Sequence, residues 1–235
     1  MAALDDCYNI FDMREAAKRR LPRGIFEFVD RATEDHLAVT DNRAGFQDIK
    51  LRHRALVDVS GQSTKTMLFG KEVSLPMIIA PTGAAGLCWY RGELQLAKAA
   101  AKAGIPFAMS TASMTAMEEV ADQAGGRLWF QLYVWKRRDL SYQVIERAKK
   151  AGYEALVVTV DSAVSPNREY NATWENVGDE RLRHPDHRFE WTRQEFREWA
   201  ERVARRHAYA VKFLPVGPID EAVGAPTQMG VFDRE

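Results

Sequence analysis

Apolar positions recur along this chain with two different periods, and the switches between them mark out its elements. Residues 11–38 carry apolar side chains at helical spacing, interrupted at Leu21-Pro22, where proline removes a backbone donor and suits the first turn of a new helix. Two short helices are expected there. Residues 46–73 instead mix alternating apolar residues with Ser60, Gly61 and Ser63, a pattern of irregular strands leading into Leu75-Pro76.

From residue 77 a regular rhythm begins. Four short apolar runs, at 77–80, 107–110, 128–134 and 155–160, have the length and composition of buried strands. Helical patterns lie between them, at 92–103 with Gly104 as its stop, near 117–124, and at 140–151 ending at Gly152. Strands alternating with helices at this interval imply parallel strands joined by right-handed crossovers, hence an α/β fold. An open doubly wound sheet and a (β/α)8 barrel both fit. The turn after the first run, Ala80-Pro81-Thr82-Gly83-Ala84-Ala85-Gly86, is not a G-x-G-x-x-G fingerprint. Every run also ends in polar or special residues: Pro81-Thr82, Ser110-Thr111, Gln131 with Tyr133, Thr159 with Asp161. Such residues would converge on one mouth, where barrel enzymes place their chemistry, so the first half of a TIM barrel is the favoured reading.

Residues 171–235 leave the rhythm. Residues 181–187 are rich in charge, and Thr192 with Glu195 three positions later is a capping-box pattern opening a long helix. Phe196, Trp199, Val203 and Val211 are expected on one face of that helix, with Arg193, Arg197, Arg205 and Arg206 largely outside it. A helix packed on its own domain and one docked on a membrane surface or partner both fit this pattern. Residues 215–235 have weak periodicity and read as loose. Three regions result: N-terminal helices and a barrel-capping segment (1–75), four βα units (76–170), and a charged, helical tail (171–235).

Composition narrows the partners. Thirty-three basic residues balance 33 acidic ones, so the overall field does not favour nucleic acid or an acidic membrane, and a small-molecule site is expected. Cys7 and Cys88 are far apart and in no metal-ligand spacing, which fits a reducing compartment. The start, Met-Ala-Ala-Leu-Asp-Asp, lacks the features of a secretory signal, and no stretch reaches the roughly 18 apolar residues of a membrane span. The expectation is a soluble cytoplasmic protein, with membrane association through the tail helix as the alternative.

Candidate chemistry gathers at the ends of the apolar runs. Asp161 at a strand mouth, with Arg168 seven residues on, suits holding a cationic intermediate or an anionic substrate, and equally suits a loop salt bridge. Gln131 and Tyr133 alternate on one strand and so face the same way, toward a ligand or as a satisfied polar rim. Pro81, Thr82 and Gly83 offer a fixed backbone and a residue without Cβ, which lets main-chain amides approach a flat ring. Ser110-Thr111 reads either as a donor pair or as plain turn chemistry.

Taken together, the segments LPRGIFEF (21–28), MIIAPTG (77–83), 97–113, LWFQLYV (128–134) and 159–169 resemble the FMN-dependent 2-hydroxy-acid dehydrogenase and oxidase family. The resemblance runs from about residue 9 to about residue 170 and corresponds to the front half of a family member. It implies FMN over the barrel mouth, with Pro81, Thr82 and Gly83 against the reactive edge and Ser110, Gln131 and Thr159 bonding the polar rim. It implies further that Tyr133 meets the hydroxy-acid substrate, that Arg168 clamps its carboxylate, and that Asp161 stabilises the imidazolium of a histidine base. The product would be a 2-keto acid. Gly83 and Ala112 resemble the mandelate branch, Ala112 leaving room for an aromatic substrate.

The chain departs from the family pattern at several points. Phe28 stands where the family carries a tyrosine that shares the substrate carboxylate, so the ring is kept and the hydroxyl donor lost. After Asp161 the usual Thr-Pro reads Ser162-Ala163. The family's supporting lysine, its Ser-Asn-His-Gly-Gly segment with the base, a second arginine and the phosphate-binding loops have no counterpart in this sequence, and none of the five histidines stands in a matching context. Three readings follow: a truncated or split member completed by a second polypeptide or by self-association, an inactive binding or assembly module, and an enzyme in which a tail histidine replaces the base.

Overall fold

In the computed structural model, the described residues are 6–160, 193–216 and 227–234, and the chain divides into two compact units. The first comprises residues 1–61 and 165–184, the second residues 62–164 and 185–235.

Three helices form the described part of the first unit: α1 (Ile10–Arg20), α2 (Arg23–Asp30) and α3 (Leu37–Asp48). Asn9 caps α1 by accepting from the amides of Phe11 and Asp12, and the break at Leu21-Pro22 falls where proline was expected to place it. The Arg14 guanidinium reaches the Asp30 carboxylate with two nitrogens, at 2.5 and 2.7 Å, tying α1 to α2 and holding Asp30 below the usual carboxylate range. The third helix corrects the expectation of strands from residue 46. Phe46 lies inside α3, and the strands of this stretch are confined to a hairpin in the second unit, β1 (Thr66–Leu68) and β2 (Lys71–Val73).

The second unit is an α/β layer. Helix α4 (Gly92–Ala103) ends at Gly104, whose φ of 67° is the left-handed conformation that closes a helix at low cost for glycine. Then β3 (Phe107–Met109), α5 (Met117–Ala124), β4 (Leu128–Tyr133), α6 (Arg138–Lys150) and β5 (Ala155–Thr159) follow in alternation. β3, β4 and β5 are parallel neighbours, with Met109 opposite Phe130 and Tyr133 opposite Thr159. The first apolar run contributes less than a strand, because Ile79 makes only a single parallel bridge to Phe107.

Residues alternate across this sheet as the pleat requires. Phe107, Met109, Phe130, Leu132, Leu156 and Val158 join one apolar core with the inner faces of the helices. Ala108, Trp129, Ala155 and Val157 point the other way and pack with Leu68, Phe69 and Ile78 at the N-terminal ends of the strands.

Helix α7 (Arg193–His207) buries Phe196, Trp199, Ala200 and Val203 in the main core, as expected of a helix packed on its own domain. Two other readings of the tail are corrected. Val211 is not on that helix: it lies in β6 (Tyr209–Val216), which pairs antiparallel with β7 (Thr227–Arg234). In turn β7 pairs antiparallel with β5, giving the order β3-β4-β5-β7-β6, so a segment that reads as loose covers the sheet edge at β5. The capping residue Thr192 lies outside the described residues. Among the described residues, no helix is long and apolar enough to cross a membrane.

Candidate active site at the strand ends

The C-terminal ends of β3, β4 and β5 carry a continuous polar network. Gln131 is 2% exposed, and its position on the face of Trp129 brings its amide up between the neighbouring strands. Its Oε1 accepts from the Thr111 amide at 3.0 Å and from the Ser110 hydroxyl at 3.4 Å, while its Nε2 donates to Thr159 Oγ1 at 2.8 Å. Thr111 closes a second loop, its hydroxyl donating to the Gln131 carbonyl and accepting from the Tyr133 amide at 3.1 Å. Buried polar atoms at this depth are costly unless paired, and here they pair with each other across three strands.

Gly83 stands beside this network. A Cβ placed on it would lie 3.1 Å from the Ala112 Cβ and 3.7 Å from Ser110 Oγ, tighter than ordinary contact with Ala112. The two loops are joined by the Ala84 amide donating to the Ala112 carbonyl at 2.9 Å. Thr82 and Gly83 are exposed and Pro81 half-buried, so backbone faces solvent next to the buried hydroxyls.

Ser110, Gln131, Thr159, Gly83 and the backbone of Tyr133 are thus gathered in one place. Phe28 lies on α2 of the first unit, about half exposed. Asp161 and Arg168 lie outside the described residues. Sequence reasoning passed over Glu93, in the first turn of α4. Its carboxylate is 1% exposed and accepts from the amides of Gly86 (3.2 Å) and Met114 (3.0 Å) and from the Thr115 hydroxyl (2.9 Å). Burial raises its pKa, but those donors outweigh burial and leave it below the usual range.

His207, the tail histidine within the described residues, is not at this site. It is 7% exposed on α7, with Nδ1 3.1 Å from a Glu146 carboxylate oxygen on α6. It borders a concavity of about 720 Å³ shared with Asp139, Tyr142, Gln143 and Arg206, in the helical layer. His207 is thus engaged with α6 and is not part of the strand-end network, and His184 and His187 lie outside the described residues. Among the described residues no group of three or more His, Cys, Asp or Glu side chains could hold a metal.

The donor set suits a flavin. Hydroxyls and a primary amide can each present donor or acceptor to an edge of alternating carbonyl and ring nitrogen, and the missing Cβ of Gly83 lets its exposed backbone lie close against Ala112 and Ser110 beside that edge.

Residues 17–214 match the FMN-dependent dehydrogenase family, and the chain belongs to that family, whose cofactor is FMN. Among curated relatives, the (S)-mandelate dehydrogenase of Pseudomonas putida is 42% identical over 162 residues, 69% of this chain and 41% of that protein. An L-lactate dehydrogenase of Pseudomonas syringae pv. syringae is 45% identical over 150 residues, 64% of this chain and 40% of that protein. Among solved structures, a soluble mutant of the membrane-associated (S)-mandelate dehydrogenase from Pseudomonas putida superposes with a TM-score of 0.69 at 41% identity, covering 72% of this chain and 48% of that one. The match thus spans about two-fifths of the length of these curated relatives.

Proposed function

We propose that this chain is the flavin-binding half of an enzyme that oxidises a 2-hydroxy acid, mandelate-like or lactate-like, to the 2-keto acid. On this reading it folds as the first half of a (β/α)8 barrel and acts as a truncated or split family member. A second polypeptide carrying the missing segments, the base included, would complete the barrel. The observation that carries the reading is the Ser110–Gln131–Thr159 network across the ends of three parallel strands, beside an exposed glycine backbone.

When bound, FMN would supply the two-electron acceptor. Pro81, Thr82 and Gly83 would present backbone to its reactive edge, and Ser110, Gln131 and Thr159 would bond its polar rim. Tyr133 would contact the substrate's hydroxyl or carboxylate side. Arg168 would clamp the carboxylate as a planar, permanently charged fork, and Asp161 would stabilise the imidazolium formed when a histidine from the complementing part takes the hydroxyl proton. By the resemblance, Phe28 stands in the place of a substrate-binding tyrosine and offers a ring without a hydroxyl donor. Peripheral membrane contact fits the membrane-associated relative, though through a surface other than the apolar face of α7.

One observation favours a second reading, a catalytically inactive binding or assembly module. β7 already pairs with β5, where a further parallel strand would have to add.

The test is a titration of the full chain with FMN, followed by fluorescence and visible absorbance, then addition of mandelate or lactate without oxygen. Binding with bleaching by the chain alone would overturn the split reading, because it would show a site that needs no second polypeptide. Binding without bleaching that is restored by a complementing polypeptide supports the split enzyme. Binding that no complement converts to turnover favours the module, and no flavin binding under any of these conditions overturns the proposal.

A further inference from the structure

We propose that Glu93 is a positioning residue that locks together the two loops forming the flavin cradle; this rests on the flavin reading of the strand-end site. Those loops are the segment 81–88, which carries Pro81, Thr82 and Gly83, and the segment 110–116, which carries Ser110 and Ala112. Glu93 belongs to neither, yet its single carboxylate is bonded to both: Oε1 accepts from Gly86 in the first and Met114 in the second, and Oε2 accepts from Thr115 in the second.

Burying a carboxylate is costly, so a nearly inaccessible one needs strong compensation. Here the three donors supply it, and so does the first turn of α4, whose free amides favour negative charge. The neighbouring Gly92 permits the arrangement. A Cβ on it would fall 2.4 Å from the Ala85 carbonyl oxygen, so only glycine lets the turn Ala85–Leu87 press against the start of α4 and bring the Gly86 amide to the carboxylate.

The spacing that results is tight where it matters. Gly83 and Ala112 stand so close that an added Cβ would be 3.1 Å from its neighbour, and the Ala84 amide meets the Ala112 carbonyl at 2.9 Å. Loops held only by that backbone bond and by van der Waals contact could drift by a fraction of an ångström. A planar ligand gripped between backbone on one side and the Ser110–Gln131 rim on the other would register such a drift at once. Glu93 touches no ligand position. It sets the separation of the two walls.

The test compares full-length wild type, Glu93→Gln and Glu93→Ala, with Glu154→Gln at the opposite end of the strands as a control for general destabilisation. Two measurements are made: FMN affinity with the visible circular dichroism of the bound flavin, and amide hydrogen exchange of the chain without ligand. Glu93→Ala is expected to weaken FMN binding about tenfold or more, equivalent to about 1.4 kcal/mol, and to change the flavin dichroism. Glu93→Gln, which keeps an acceptor oxygen for the two amides, restores most of both. In the exchange measurement, Glu93→Ala speeds exchange in segments 82–88 and 110–116 and leaves the β1–β2 hairpin unchanged. If Glu93→Ala and Glu154→Gln weaken FMN binding in proportion to their loss of thermal stability, Glu93 is merely structural and the proposal fails. If wild type binds no FMN, the flavin reading falls. The exchange measurement then still decides whether Glu93 couples the loops, and unchanged exchange in both segments overturns that coupling.

Discussion

At their N-terminal ends β3, β4 and β5 close on apolar side chains and ion pairs, whereas at their C-terminal ends the same strands carry hydroxyls, an amide and an exposed glycine loop. The lower end is plugged by the β1–β2 hairpin. Leu68 and Phe69 pack on Ala108, Trp129 and Ala155, with the Phe69 and Trp129 rings 5.0 Å apart. Around this plug, Glu154 accepts from Lys71 at 2.7 Å and from Arg127 at 2.7 Å, and Arg127 also donates to the Leu68 carbonyl. The charged groups described at that end, Lys71, Arg127 and Glu154, are engaged in tying the hairpin down. At the upper end Ser110, Thr111, Gln131 and Thr159 bond to one another, through bonds that a ligand can share. Parallel α/β folds divide stability and chemistry between strand ends in this way, and the division here falls within single strands: Trp129 and Gln131 are two residues apart on one face of β4.

The largest break of that contrast comes from emptying the plug. Trp129→Ala is expected to cost about 3–5 kcal/mol of stability in chemical denaturation, the usual range for removing a large buried aromatic. Trp129→Phe should cost less than about 1.5 kcal/mol, because the buried indole nitrogen finds no acceptor among the described residues and the ring contact with Phe69 is retained. A Phe variant as damaging as the Ala variant would mean that the indole has a partner. Next in size, Gln131→Leu fills similar space but strands the Thr111 amide and the Thr159 hydroxyl. A loss of about 1–3 kcal/mol is expected, together with at least about a tenfold weaker FMN affinity. The contrast fails if Trp129→Phe disturbs flavin binding more than Gln131→Leu does.

Much of this was legible in the sequence where local chemistry and tertiary structure agree. The helix at Gly92–Ala103 announces itself by an alanine-rich apolar face and a glycine stop, and the helix break at Leu21-Pro22 by proline's missing donor. The polar ends of the runs at 110, 131 and 159 were visible because strand alternation puts like-facing residues two apart. Other features depend on partners that periodicity cannot see. Met77-Ile78-Ile79-Ala80 reads as a full strand, yet it forms one bridge, since strand length is set by what lies alongside. The β6–β7 pair was missed because Pro215, Gly230 and scattered polar residues blur alternation, and long pairing between the two strands, with a shorter register of β7 on β5, supplies what local propensity lacks. Glu93 was missed because an acid in a helix's first turn is ordinary dipole chemistry. Only the fold brings the amides of Gly86 and Met114 to it.

The smallest expected effect tests the ion pairs around the plug, and its sign follows from Glu154. Burial alone would raise that carboxyl's pKa, but the hydrogen bonds from Lys71 and Arg127 outweigh burial and leave it below its ordinary 4.5. A group whose folded pKa is depressed adds stability that is fully present above the unfolded value and is lost as pH falls through the folded one. Wild-type stability, measured by urea unfolding from neutral pH down to about pH 3, should therefore decline on the acid side in part through Glu154. Glu154→Gln should lower stability at neutral pH by about 1–2 kcal/mol, the range for hydrogen bonds to charged groups on a partly exposed acceptor, and the two proteins should converge as the wild-type carboxyl protonates. FMN affinity should be the same in both, because the pair lies at the end of the strands that carries no ligand chemistry. A difference between the proteins that persists unchanged into acid would show that Glu154 contributes by shape alone, and a loss of flavin affinity would show that the two ends are coupled through the strands.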